Sequence, residues 1–146
     1  MTKGLPMSEQ QYSDPPGMPE DERMTDAEFK VVREYLGLTG DWLAEYLKVS
    51  PRTVRHWEQG KYLIPDGVRL AVERLEAEAG RQVAADVKAL MDAPEPVLVL
   101  ARTDAERPDG NDWPLGWSRA VAARIAQEVP GLGIMYSDQV PDDGAS

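Results

Sequence analysis

Between Ser50 and Lys61 the chain reads SPRTVRHWEQGK. Within it Arg52, Arg55, His56, Gln59 and Lys61 supply hydrogen-bond donors of several shapes. A guanidinium presents a planar fork that takes two acceptors at once, an ammonium is a point charge, and imidazole and amide donate singly. This is the chemistry of holding phosphates and base edges. The chain has no cysteine, which removes thiolate nucleophiles and thiolate metal sites, and its single histidine rules out a multi-histidine metal site. No cofactor is expected.

These donors need a rigid element. Val54 and Trp57 lie three apart and face inward, which leaves Pro51, Arg52, Arg55, His56 and Gln59 outside. Ser50 caps this helix, Pro51 takes the first helical position, where a missing N–H costs nothing, and Gly60 ends it. Upstream, Leu43, Ala44 and Leu47 form a narrow apolar stripe, Thr39 caps the helix that carries it, and Lys48 and Val49 make the turn. Two short helices so joined have the register of a helix-turn-helix, whose second helix enters the major groove. Any αα-hairpin could share this apolar spacing, but not the basic and amide residues gathered on one helix.

Leu43-Ala44, Val49-Ser50, Thr53-Val54, Trp57-Glu58 and Gly60-Lys61 carry a resemblance to the lambda-repressor and Cro-type (XRE-like) family, whose members read LA…(G)VS..TV..WE.GK. Behind it, the segment Gly116-Trp117-Ser118-Arg119-Ala120-Val121-Ala122-Ala123 resembles a subgroup of small regulators that includes anti-CRISPR-associated autorepressors of the second class. The resemblance implies an N-terminal DNA-binding domain, a C-terminal dimerisation domain and repression at an inverted repeat. It implies base contacts from Pro51, Arg52, Arg55 and His56. Arg52 could take guanine O6 and N7 bidentately, for roughly 1–3 kcal/mol of discrimination. It implies phosphate contacts from Thr39, Gly40, Ser50, Thr53, Gln59 and Lys61. One departure stands out: many members carry Gln where this chain has Gly40, which leaves only a backbone N–H at the helix N-terminus. Trp42 beside it lies on the outer face of its helix, where it could pack at the domain edge or meet the sugar-phosphate backbone; packing is the expected role.

The rest of the chain must support that unit. Residues 1–24, rich in Pro, Gly, Ser, Gln and acid, are expected to be a disordered tail. Thr25 to Glu28 reads as a capping box, and Phe29, Val32 and Leu36 follow on one helix face, closed by Gly37. Phe29 and Trp57 are expected partners in the core of a DNA-binding domain over 25–66. With Asp66 as its cap, a helix over 67–93 links to a second unit, continuous or hinged at Gly80, and could also serve as a dimer seam. Pro94-Glu95-Pro96 breaks it. Val97 to Ala101 then reads as a buried strand, Leu115 to Val129 as a helix and Ile134 to Tyr136 as a second strand. This strand-helix-strand unit over 94–138 is too small to stand alone. Its dimerisation residues are expected to be Val97, Val99, Trp117, Val121 and Ile125. Residues 139–146 form an acidic tail. The fold class is mainly α, with a small α+β C-terminal unit.

The net charge of −10 is unusual for a nucleic-acid binder. Its distribution resolves the difficulty: Lys48, Arg52, Arg55 and Lys61 face only Glu58, while nine acidic residues oppose four basic ones after Pro94. The acidic body should limit binding to random duplex. The expected partners are double-stranded DNA carrying an inverted repeat and a second copy of the chain. An antitoxin whose C-terminal part binds a toxin protein, and an RNA-hairpin binder, are alternatives. An enzyme is the weakest reading. Asp104, Glu106, Asp109 and Asp112 make an acidic loop with no nucleophile–base pair beside it. No apolar run reaches membrane-spanning length, so a cytoplasmic bacterial or phage protein, nucleoid-associated when DNA-bound, is expected.

Overall fold

Thr25 opens the first helix, α1 (Asp26–Tyr35), through a reciprocal cap. Its hydroxyl accepts from the Glu28 N–H at 3.0 Å, and the Glu28 carboxylate accepts from the Thr25 N–H at 3.0 Å. Gly37 closes α1 at φ 72°, and Leu38 N–H reaches back to Arg33 C=O at 3.1 Å. Helix α2 (Gly40–Leu47) starts at Thr39, whose side chain accepts from Trp42 N–H. It ends at Lys48, a left-handed residue at φ 62°. Helix α3 (Pro51–Glu58) follows after the three residues Lys48–Ser50, capped by Ser50 with Pro51 in its first turn. These helices belong to the first of two compact units, which divide between Ala77 and Glu78. The computed structural model describes residues 12, 14, 23–108 and 111–141.

The apolar stripes of the three helices bury Phe29, Leu43, Leu47, Val54 and Trp57. Each such side chain contributes about 1.5–3 kcal/mol by leaving water. Phe29 and Trp57 meet edge to face, with ring centroids 5.9 Å apart. A second tie is polar. Arg33 Nε and Nη2 donate to the two carboxylate oxygens of Glu58 at 2.6 and 3.0 Å, while Nη1 donates to Leu38 C=O at 2.9 Å. Both side chains are about 15% exposed, so this bidentate pair between α1 and α3 is screened far less than a surface one.

Helix α4 (Asp66–Leu90) is unbroken through Gly80, so the hinge alternative falls away. Asp66 is not its cap but part of its first turn. Pro65 precedes it, and its carbonyl accepts from Val68 N–H, while the Asp66 carboxylate holds Arg69 at 2.6 Å. The residues of α4 up to Ala77 bury Val68, Val72 and Leu75, and those beyond it bury Ala79 and Val83.

The second unit pairs two strands, β1 (Val97–Leu100) and β2 (Gly133–Tyr136), in parallel from Val97↔Gly133 to Leu100↔Tyr136. Helix α5 (Leu115–Glu128) makes the crossover that a parallel pair requires. Trp117 stacks on Trp113 at 4.1 Å, and its indole N–H donates to Gln82 Oε1 at 2.9 Å. The expectation of a buried strand needs correction: Val97 is 41% and Val99 48% exposed, because cover reaches only one face of β1. Trp117, Val121 and Ile125, expected at a dimer seam, are buried within the single chain.

The acidic loop is largely occupied. Asp104 lies 3.4 Å from Arg107, and Glu106 accepts from Arg102 N–H at 2.8 Å, while Asp109 lies outside the described residues. Asp138 pairs with Arg102 at 2.8 Å. Residues 142–146 and most of 1–24 also lie outside the described residues. Among the described residues no helix is long and apolar enough to cross a membrane.

Candidate nucleic-acid interface

Helix α3 has two faces because its buried residues are Val54 and Trp57, three apart and both apolar. The opposite face carries Arg52, Arg55, His56 and Gln59, spaced by threes and fours. Pro51, Arg52, Arg55 and Gln59 are exposed, and His56 is half-buried. Both ends are locked. At the start, Ser50 Oγ accepts from Thr53 N–H at 3.1 Å and lies 2.9 Å from Thr53 Oγ1. At the end, Gly60 turns left-handed at φ 73°. Lys61 N–H bonds His56 C=O at 2.9 Å and Gly60 N–H bonds Trp57 C=O at 3.2 Å. This closure fixes where the backbone of exposed Lys61 leaves the helix.

The charge on this face is purer than the sequence count implies. Glu58 spends its charge on Arg33, whose guanidinium is held above its usual pKa by that hydrogen bond. Arg52 and Arg55 therefore share α3 with a single carboxylate that is already paired, and Lys61 follows just beyond the helix. His56 reports the resulting field. Desolvation pushes its pKa below the ordinary histidine value, and Lys61, Arg52 and Arg55 push it further. Its ring meets Tyr62 edge to face at 5.2 Å.

At the start of α2 the Thr39 hydroxyl is engaged with Trp42 N–H at 3.0 Å. A Cβ built on Gly40 would meet Val54 Cγ1 at 3.7 Å, an ordinary contact. Packing against Val54 therefore does not demand glycine there. Trp42 is half-buried and stacks on Tyr46 at 5.3 Å. Among the described residues no three His, Asp or Glu side chains converge as a metal site would need.

No family model matches the chain. Comparison with known proteins finds the Aca2 repressor of Pectobacterium phage ZF40, 33% identical over 114 residues that span 75% of this chain and 91% of that protein. The chain belongs to the Aca2 repressor family. Membership places it with regulators rather than enzymes. In this Aca2-family chain two contacts around α3 have no signal in the sequence. Arg33 carried no motif signal, since its partner Glu58 is 25 residues away. Tyr62 belongs to no apolar pattern, yet it stands 62% exposed with its ring against His56.

Proposed function

We propose that this chain is a DNA-binding transcriptional repressor that acts as a homodimer on an inverted repeat. In this reading α2, the Lys48–Ser50 turn and α3 form a helix-turn-helix, and α3 lies in the major groove. The observation that carries it is the outward face of α3, where Arg52, Arg55, His56 and Gln59 stand on a doubly capped helix whose one carboxylate is turned inward. Arg52, in the first turn, reads a guanine. Pro51 offers apolar contact, to a thymine methyl for example, and Arg55 and His56 reach adjacent bases or backbone. Thr53, Gln59 and Lys61 hold phosphate, together with the helix N-termini at Thr39-Gly40 and Ser50. Kinship to a phage repressor supports a repressing sign.

A single module reads few base pairs, so specificity at a physiological site asks for two. The open face of β1, with Val97 and Val99, supports pairing through the second unit. Selection of bound duplexes from a random pool tests the reading: a symmetric motif with half-sites about one helical turn apart is expected. Arg52→Ala should weaken the selected site by about 10–100-fold, roughly the 1–3 kcal/mol of a bidentate pair, with its far-ultraviolet circular dichroism unchanged. Recovery of no duplex at all by the wild-type protein would overturn the proposal.

A further inference from the structure

We infer that Tyr12 and Asp14, in the N-terminal extension, are positioning residues for the recognition helix. The inference rests on the DNA-binding reading of α3. Tyr12 Oη donates to Leu47 C=O at 2.8 Å. Leu47 is the last residue of α2, so its carbonyl belongs to the helix end that has no partner within the helix. The turn that follows sets the angle between α2 and α3. A hydrogen bond from outside thus fixes the last peptide before that turn. The Tyr12 ring also lies against the start of α4, where a Cβ on Gly67 would come within 3.1 Å of its Cδ1. Burial raises the Tyr12 pKa, so the phenol keeps its proton and stays a donor.

Asp14 does for α4 what Pro65 cannot. The residue before α4 has no side-chain acceptor, and Asp14 Oδ1 takes the Asp66 N–H at 2.7 Å in its place. Its other oxygen pairs with Arg23, two residues before the cap of α1. Two side chains of the extension therefore touch the end of α2, the start of α4 and the lead into α1. The hydrogen bonds and ion pair of Tyr12 and Asp14 go to Leu47, Asp66 and Arg23 rather than to Arg52, Arg55, His56 or Lys61, so an effect of these two residues on DNA affinity must pass through the placement of α3.

The test compares Tyr12→Phe and Asp14→Ala with wild type in the full-length chain. The first readout needs no DNA. Tyr12→Phe should speed hydrogen exchange at the Lys48 and Val49 amides, which donate to Glu45 and Ala44 C=O, and leave Leu36 and Gly37 at the end of α1 unchanged. The second readout is affinity for the selected operator well below the melting temperature. Each variant should bind three- to tenfold more weakly, the worth of about one hydrogen bond. The slope of log affinity against log salt should not change, because no phosphate contact is lost. Unchanged exchange at Lys48 and Val49, or unchanged affinity, would overturn the inference. Tighter binding with a steeper slope would overturn it as well, since it would make the extension a screen over the DNA-binding face. Absence of duplex binding by wild type would sink the DNA-binding reading itself, whereas the exchange result still decides whether Tyr12 holds the turn.

Discussion

His56 is the one side chain of the face whose charge can change near neutral pH, and the chain has no other histidine. Its pKa is lowered by desolvation and by Lys61, Arg52 and Arg55, so the free protein favours the neutral imidazole more than an ordinary histidine does. A phosphate or guanine acceptor would favour the imidazolium, which places the pKa of the bound state above that of the free state. Binding then takes up a proton, and affinity rises as the pH falls. Anisotropy titrations from about pH 8 to 5.5 should show operator affinity climbing several-fold for wild type and nearly flat for His56→Ala, within the limit of tenfold per pH unit for one proton. Equal slopes for the two proteins would remove His56 from the contact. The same lowered pKa has a small converse effect on folding. The unfolded chain binds the proton more readily, so the contribution of His56 to stability is lost as pH falls through the histidine range.

The first unit was largely legible because its signals are local. Thr25, Thr39, Ser50-Pro51, Gly37 and Gly60 each act within four residues, and the structure places each at the helix end it was read for. The signals that escaped join distant residues. Arg33 with Glu58, Tyr12 with Leu47 and Asp14 with Asp66 leave no periodic trace. Asp66 misled because an acid suits both a cap and a first turn, and only the backbone tells them apart. Lys48 was legible as a turn but not as a strained one. It is the one positive-φ residue other than glycine among the described residues, at φ 62°. A side chain in that region costs roughly 1–2 kcal/mol, which glycine does not suffer, partly offset by the extra entropy glycine loses on folding. Lys48→Gly should therefore stabilise the first unit by about 1 kcal/mol, read as a rise of a few degrees in its melting temperature. A fall would mean that the lysine stem packs usefully at the turn.

At the scale of the whole molecule, the second unit is where sequence patterning ran out. A run such as Val97-Leu98-Val99-Leu100 says that a strand is apolar on both faces, but not whether one chain covers both. The structure covers the Leu98 and Leu100 side better and leaves Val97 and Val99 open on a sheet of two strands, which is marginal by itself in water. Trp117, Val121 and Ile125 are already buried, so a seam between copies has to use what remains open. Under the proposed dimer, Val99→Glu would set two carboxylates against each other across that seam. Because Val99 is 48% exposed in the single chain, the fold itself should tolerate the change, at a strand-propensity cost below about 1 kcal/mol. Sedimentation should show wild-type dimers and Val99→Glu monomers at the same micromolar concentration. Gel shifts should then show the variant binding an isolated half-site as wild type does, yet losing about 10²-fold or more on the full inverted repeat, where wild type gains from tethering two modules. A Val99→Glu protein that still sediments as a dimer would move the seam away from β1.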